Sequence, residues 1–247
     1  MRNIFTGFGN YLILIRGTFA RPEKAQMYWK EMFRQMHDIG IGSLSIIAII
    51  ATFIGAVTAV QFSYQLRSFS LVPMWWMGSI VRKSMILELA PTISALLLAG
   101  KVGSNIASEL GSMRISEQID AYEIMGVNTQ GYLVGPKIMA SLVVIPMLII
   151  LAVFLGIGGG MMAGILGKFF TPSEYIRGLQ DNFAGYDVVV MLIKSFLFAF
   201  IISSISCYKG YTVSGGALEI GRASTQAVVI SSIVIIVVNF ITAFILL

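Results

Sequence analysis

Apolar residues fall into five long runs, roughly Ser43–Tyr64, Ile80–Leu110, Ile138–Leu166, Val188–Cys207 and Ala227–Leu247, with polar connectors between them. Each run reaches the ~20 residues that a helix needs to cross a bilayer core. The pattern predicts an all-α polytopic membrane protein with five transmembrane helices. The third run is too long for one straight perpendicular span. It carries Pro146 and the triplet Gly158-Gly159-Gly160, which predict a tilt or a break.

Ahead of the first run stands "RPEKAQMYWKEMFRQMHDIG". Pro22 suits the first position of a helix. Ala25, Trp29, Met32, Met36 and Ile39 then recur at helical spacing, with Lys24, Lys30, Glu31, Arg34 and Gln35 on the other faces. That predicts an amphipathic helix lying in the membrane interface. A helix packed on the connectors is the alternative. The chain accordingly divides into an interfacial region, 1–42, and a transmembrane region, 43–247.

Composition sharpens the class. Of 247 residues, 57% are hydrophobic and 12% charged, against about 25% charged in an ordinary soluble domain. Mean hydropathy is +0.85. A net charge of +5 is modest for this length, so the basic residues are explained by position and not by affinity for nucleic acid. One cysteine, Cys207, and one histidine, His37, allow neither a disulfide framework nor a Cys/His metal cluster. The N-terminus lacks the clean apolar run and small-residue cleavage site of a removable signal. With that end in the cytoplasm, the inner segments hold Arg2, Arg16, Arg21, Lys24, Lys30, Arg34, Arg114, Lys137, Lys209 and Arg222. The outer ones hold Arg67, Arg82, Lys83, Lys168 and Arg177. The excess inside predicts a cytoplasmic N-terminus and an outward C-terminus.

Charges inside the runs come next. Glu88 in the second run and Lys194 in the fourth both lie ~10–12 Å from the same side at 1.5 Å per residue. Opposite charges at matched depth can pair and offset the cost of burial. The pair is read either as structural or as the lining of a substrate cavity. Glu88, Pro91 and Lys194, with Gln61 and Tyr64 late in the first run, are the candidate cavity residues. Lys101 and Glu109 lie nearer the other side and are expected to snorkel. Small residues recur every four positions as Gly100, Ser104, Ser108 and Ser112, and again as Gly103, Ala107 and Gly111. This face predicts close helix packing, within the chain or across a dimer.

The connector after the second run reads "MRISEQIDAYEIMGVNTQG". Ser116 offers an N-cap and Gly126 a stop, which predicts a short helix over about 116–126. Ile119, Tyr122 and Met125 share a face, with Glu117, Asp120 and Glu123 nearby. Held between two spans, such a helix is a docking knob or an ordinary surface helix.

The run "ELAPTISALLLAGKVGSNIASELGSMRISEQIDAYEIMGVNTQGYLVGPK" and the later "CYKGYTVSGGALEIGRASTQAVV" resemble the MlaE (YrbE) family of ABC-transporter permeases. The resemblance runs from about residue 40 to the end; the first forty residues match only in character. In Glu88-Leu89-Ala90-Pro91, alanine stands where many members have glycine. The resemblance implies that the "EQIDA" helix couples to an ATPase through Glu117, Gln118, Asp120, Ala121 and Tyr122, with Gly126 ending it. It implies a homodimer, two cytosolic ATPase subunits and a lipid-binding MCE-domain partner on the outer side. The implied cargo is phospholipid or a related lipid, moved between the inner and outer membranes of a diderm bacterium.

The motor is expected on another chain. No G-x-x-x-x-G-K-[ST] phosphate loop is present; "GILGKFF" lacks both the spacing and the hydroxyl. ATP and Mg are therefore expected on the partner ATPase, with no cofactor in this chain. Competing readings are a proton-coupled secondary transporter using Glu88 and Lys194, a membrane scaffold, or an intramembrane enzyme. The first would ordinarily show an internal repeat, and none is evident. The last would need a nucleophile with a base, or a metal site.

Overall fold

The computed structural model describes residues 2–20, 25–67 and 73–246, and among them the chain is built from helices joined by short connectors. The helices are α1 (Arg2–Ala20), α2 (Ala25–Arg67), α3 (Trp76–Ser84), α4 (Ala90–Leu98), α5 (Ser104–Ile115), α6 (Gln118–Ile124), α7 (Gly135–Leu166), α8 (Pro172–Gln180), α9 (Gly185–Tyr211) and α10 (Ala217–Leu246). Wider π-helical turns, Met85–Leu89 and Ala99–Gly103, link α3, α4 and α5 into one continuous segment. A third, Gln130–Val134, leads into α7. Five segments are long and apolar enough to cross a membrane: Tyr28–Leu66, Trp76–Ile115, Gln130–Leu166, Gly185–Tyr211 and Ala217–Leu246.

The expected five spans are thus present, but two details differ. The first concerns the N-terminal region. A separate helix, α1, precedes the segment read as interfacial. That segment is itself the start of α2, which passes the expected boundary at residue 43 without interruption. Pro22 lies outside the described residues. The buried row on α2 is Gln35, Ile39, Ser43, Ile47 and Ala51, one face at four-residue spacing. Trp29 and Phe33 stay exposed. Polar Gln35 sits in the buried row with its amide donating to Glu31 Oε1 at 2.9 Å.

The second difference is in the third span. Pro146 lies inside α7, which continues unbroken through the glycine triplet. The glycines serve contact and not a break: a Cβ on Gly159 would strike the carbonyl of Thr52 on α2, and one on Gly160 would lie 3.1 Å from the Gly55 carbonyl oxygen. Two backbones approach here as only small residues permit.

The chain divides into two compact units. One takes the chain to Ser43, then Ala95–Ile145 and Phe196–Ile241. Its core includes Ile39, Leu98, Ile106, Leu110, Ile119, Ile138 and Ile202. The other takes Leu44–Ser94, Pro146–Ser195 and the chain from Thr242, around Ile47, Met77, Val81, Met85, Ile149, Tyr175 and Val190.

In the second unit α8 packs on α3. It opens with a capping box in which Thr171 Oγ1 accepts from the Glu174 N–H while the Glu174 carboxylate accepts from the Thr171 N–H at 2.7 Å. Arg82, assigned above to an outer connector, is buried. Its guanidinium donates to the carbonyls of Leu179, Asp181 and Asn182 and lies 5.4 Å from the Phe183 ring centre. It therefore closes the α8 connector and is not a free flanking charge.

Candidate functional site

Glu88 and Lys194 meet. Lys194 Nζ lies 2.6 Å from Glu88 Oε1, with the lysine side chain fully buried and the glutamate 42% exposed. The same Nζ donates to the Leu87 carbonyl at 2.9 Å. That second bond lies one turn before Pro91. Leu87 O is the carbonyl that residue 91 would bond in an α-helix, and proline has no N–H to give. The π turn over Met85–Leu89 shifts the local register as well, with the Ala90 N–H reaching Met85 O. Such turns often accompany functional sites. Thr92 Oγ1 donates to Glu88 Oε2 at 3.4 Å. The motif is compact: a buried lysine takes the Leu87 carbonyl and the neighbouring carboxylate together, beside a proline and a π turn that both interrupt regular backbone bonding.

In the same unit Gln61 borders a groove of about 410 Å³ with Ile49, Ile50, Phe53, Ile54, Val57, Thr58 and Leu89. Its lining is almost wholly aliphatic and aromatic, the surface an acyl chain would cover, and Leu89 adjoins Glu88 in the chain. Tyr64, three residues beyond Gln61 on α2, is 75% exposed and is not among the groove residues.

The connector helix α6 spans Gln118–Ile124, shorter than expected, and Ser116 is not its cap. Ser116 Oγ instead donates back to Ser112 O at 2.8 Å. Glu117 takes the N-cap position at φ 58° with no side-chain cap. This left-handed residue turns the chain sharply out of α5. Gly126, at φ 81°, ends the helix where an L side chain would be strained. Ile119 is fully buried. Glu117, Gln118 and Ala121 are exposed and Tyr122 is half-buried, 5.9 Å from Tyr132 in an edge contact. Asp120 pairs with Arg114 at 2.6 Å. Glu123 Oε1 accepts from Thr129 and from the Tyr211 hydroxyl, both at 2.9 Å. These bonds pin the helix to α5 and to the end of α9. Its tip stays bare: Ile124 is 88% exposed and Met125 66%.

The small-residue faces divide. Gly103 faces α9, where a Cβ would lie 2.9 Å from Ser206 Oγ. Ala107 lies against Gly210, and Gly111 against Val213 and Ile220. Ser104 O accepts from Ser224 on α10. Gly100 has open space where its side chain would be.

One site escaped the sequence reading. Glu109, expected to snorkel, pairs across helices. Lys137 Nζ, with its side chain only 3% exposed, lies 2.5 Å from Glu109 Oε2. Lys101, for which the same was expected, donates from Nζ to the Gly42 carbonyl. The missed signal was Pro136-Lys137, read as the end of a connector; α7 begins at Gly135 and carries Lys137 into the packed interior. His37 is exposed beside Asp38, and Cys207 is buried. Among the described residues no three of His, Cys, Asp or Glu converge as a metal site would require.

Comparison with known proteins joins these features to a family. Residues 32–245 match the family model described as Permease MlaE. A Rickettsia bellii protein named "Probable ABC transporter permease protein" is 37% identical over 94% of this chain and 89% of its own length. The Haemophilus influenzae intermembrane phospholipid transport system permease protein MlaE is 30% identical over 97% of this chain and 91% of its own. The Arabidopsis chloroplast protein TRIGALACTOSYLDIACYLGLYCEROL 1 is 29% identical over 88% of this chain and 62% of its own. The chain belongs to the MlaE permease family.

Proposed function

We propose that the chain is the membrane subunit of an ABC transporter that moves phospholipids or related lipids between inner and outer membranes. ATP and Mg are handled by two copies of a separate cytosolic ATPase. Two copies of this chain form the permease, with an MCE-domain lipid carrier on the outer side. In this arrangement the N-terminus is cytoplasmic, the C-terminus faces out, and the chain itself performs no hydrolysis.

The observation that carries the reading is α6. A bare apolar tip on a water-exposed connector costs solubility unless a partner covers it. The Arg114–Asp120 and Glu123–Thr129–Tyr211 bonds hold that tip in one orientation, which a coupling element requires. The acyl-sized groove and the Glu88–Lys194 pair support a lipid with a charged headgroup as cargo, as does the name of the Haemophilus relative. A lysine suits a phosphate as a point charge.

The test is Ile124→Asp, measured by co-purification with the cognate ATPase and by lipid transfer between proteoliposomes and acceptor vesicles. Expected are loss of ATPase association and of transfer, with unchanged thermal stability of the membrane chain. Full association and transfer by the variant would refute the coupling role. Asp120→Arg is a poorer probe, because it would place a second cation beside Arg114.

A further inference from the structure

A second polar site lies in the unit that holds α6, and neither the coupling helix nor the Glu88 motif accounts for it. Asp38 and Gly42 of α2 face Lys101, Asn105 and Glu109 across a groove of about 360 Å³. That volume is in the range of small-molecule sites, roughly 300–1,000 Å³. Ile39, Val102 and Ile106 are buried and make an apolar floor. The rim is polar and charged.

Residues 101–109 belong to the span Trp76–Ile115. Hydrocarbon offers no hydrogen bonds to Lys101, Asn105 and Ser108, so lipid tails cannot cover this rim cheaply. The occupant must be polar. Lys101 lies within the π turn Ala99–Gly103; its ammonium has three donors and gives one to Gly42 O. Among the described residues Asp38 has only the adjacent His37 ring, at 3.3 Å, and its side chain is 60% exposed. Glu109 gives Oε2 to Lys137 and is half exposed, so Oε1 remains to accept. The groove therefore offers one cationic donor and two carboxylates over an apolar floor.

We propose that this groove holds the headgroup of a primary-amine phospholipid, its phosphate on Lys101 and its ammonium between Asp38 and Glu109. A purely anionic headgroup would satisfy Lys101 and repel Asp38. A quaternary amine would meet the carboxylates without hydrogen bonds to give them. A primary ammonium supplies three donors beside the phosphate that Lys101 takes. The short carbon bridge between phosphate and amine would lie on Ile39, Val102 and Ile106. This deepens the lipid-transport reading and rests on it for the cargo class alone.

The test is binding to the full chain in detergent, without ATPase, by native mass spectrometry with dihexanoyl lipids. Phosphatidylethanolamine is expected to bind more tightly than phosphatidylcholine or phosphatidylglycerol. Asp38→Asn should weaken phosphatidylethanolamine by about tenfold, the scale of one charge-assisted bond, and leave phosphatidylglycerol unchanged. Lys101→Gln, which keeps a donor for Gly42 O, should weaken both, and Asn105→Trp should block the groove. Equal effects of Asp38→Asn on both lipids, or none from Lys101→Gln, would overturn the proposal. Displacement by soluble glycerophosphoethanolamine at the same concentration as lipid would assign the groove to a water-soluble ligand instead. A disulfide between two copies through Asn105→Cys would assign it to a second chain. Loss of transport with intact ATPase binding in Asp38→Asn separates this site from the coupling reading, whose failure leaves the binding assay untouched.

Discussion

Among the described residues two lysines are buried, and each meets a half-exposed glutamate from another helix. Lys194 meets Glu88 at 2.6 Å and Lys137 meets Glu109 at 2.5 Å. The charges and distances match, but the surroundings do not. Lys194 has a second acceptor, the Leu87 carbonyl, at the place where Pro91 withholds an N–H. Among the described residues Lys137 has the Glu109 carboxylate alone. A buried ammonium needs its donors filled, and one acceptor fills them less well than two. The first pair is thus a motif shaped by backbone chemistry; the second is a simple cross-helix contact.

The sharpest way to break the comparison is to remove each acid. Glu109→Ala leaves Lys137 buried with no acceptor and should cost about 3–5 kcal/mol, the range for an orphaned buried charge. Glu88→Ala leaves Lys194 its carbonyl bond and should cost less, about 2–3 kcal/mol. Unfolding of the purified chain in a fixed detergent measures both. If Glu88→Ala proves the more damaging, the Leu87 bond does not cushion Lys194. The double change Glu88→Gln with Lys194→Gln should fold better than either single change, since no charge remains to bury.

A finer test isolates the proline. Pro91→Ala restores an N–H that competes for the Leu87 carbonyl. That competition matters only when Lys194 is present. The effects of Pro91→Ala and Lys194→Met on stability should therefore fail to add by about 1 kcal/mol. Strict additivity would show that the carbonyl bond contributes nothing.

The smallest expected effect belongs to a third carboxylate, which has N–H and O–H donors in place of a lysine. Glu174 accepts from the Thr171 N–H and, second, from its hydroxyl, and these bonds hold its carboxyl below the ordinary 4.5. A depressed folded value adds stability above 4.5 that is lost as pH falls through the folded value. Glu174 is near the surface, so the gain is slight. Thr171→Val should lower the melting temperature by a small amount at pH 7. The gap should narrow in acid; a gap that is constant with pH would place the effect in the helix cap and not in the charge.

Much of the architecture was legible because a bilayer demands it. Each of five apolar runs had to be a helix, since hydrocarbon satisfies backbone groups in no other open form. The short α6 was legible from its glycine stop and the "EQIDA" text. Matched depth suggested that Glu88 and Lys194 could pair, and family motifs pointed to an MlaE-type permease. Other details depended on which helix lies beside which. The partners of Lys101 and Glu109, Gly42 O and Lys137, lie on other helices and could not be read from either residue alone. The glycine triplet predicted a tilt or a break, since glycine is permissive; Thr52 and Gly55 on α2 made it a contact in an unbroken helix. The buried row on α2 runs through Gln35, Ile39 and Ser43, because the faces of a long helix are chosen by the helices packed on it. Ser116 lost the cap to a left-handed Glu117. Which segments are long and apolar enough to cross a membrane could be read from the chain alone, because that depends on composition along one dimension. Only the tertiary structure decided which polar groups are satisfied and where backbones touch, because hydrogen bonds and close contacts need partners remote in the chain.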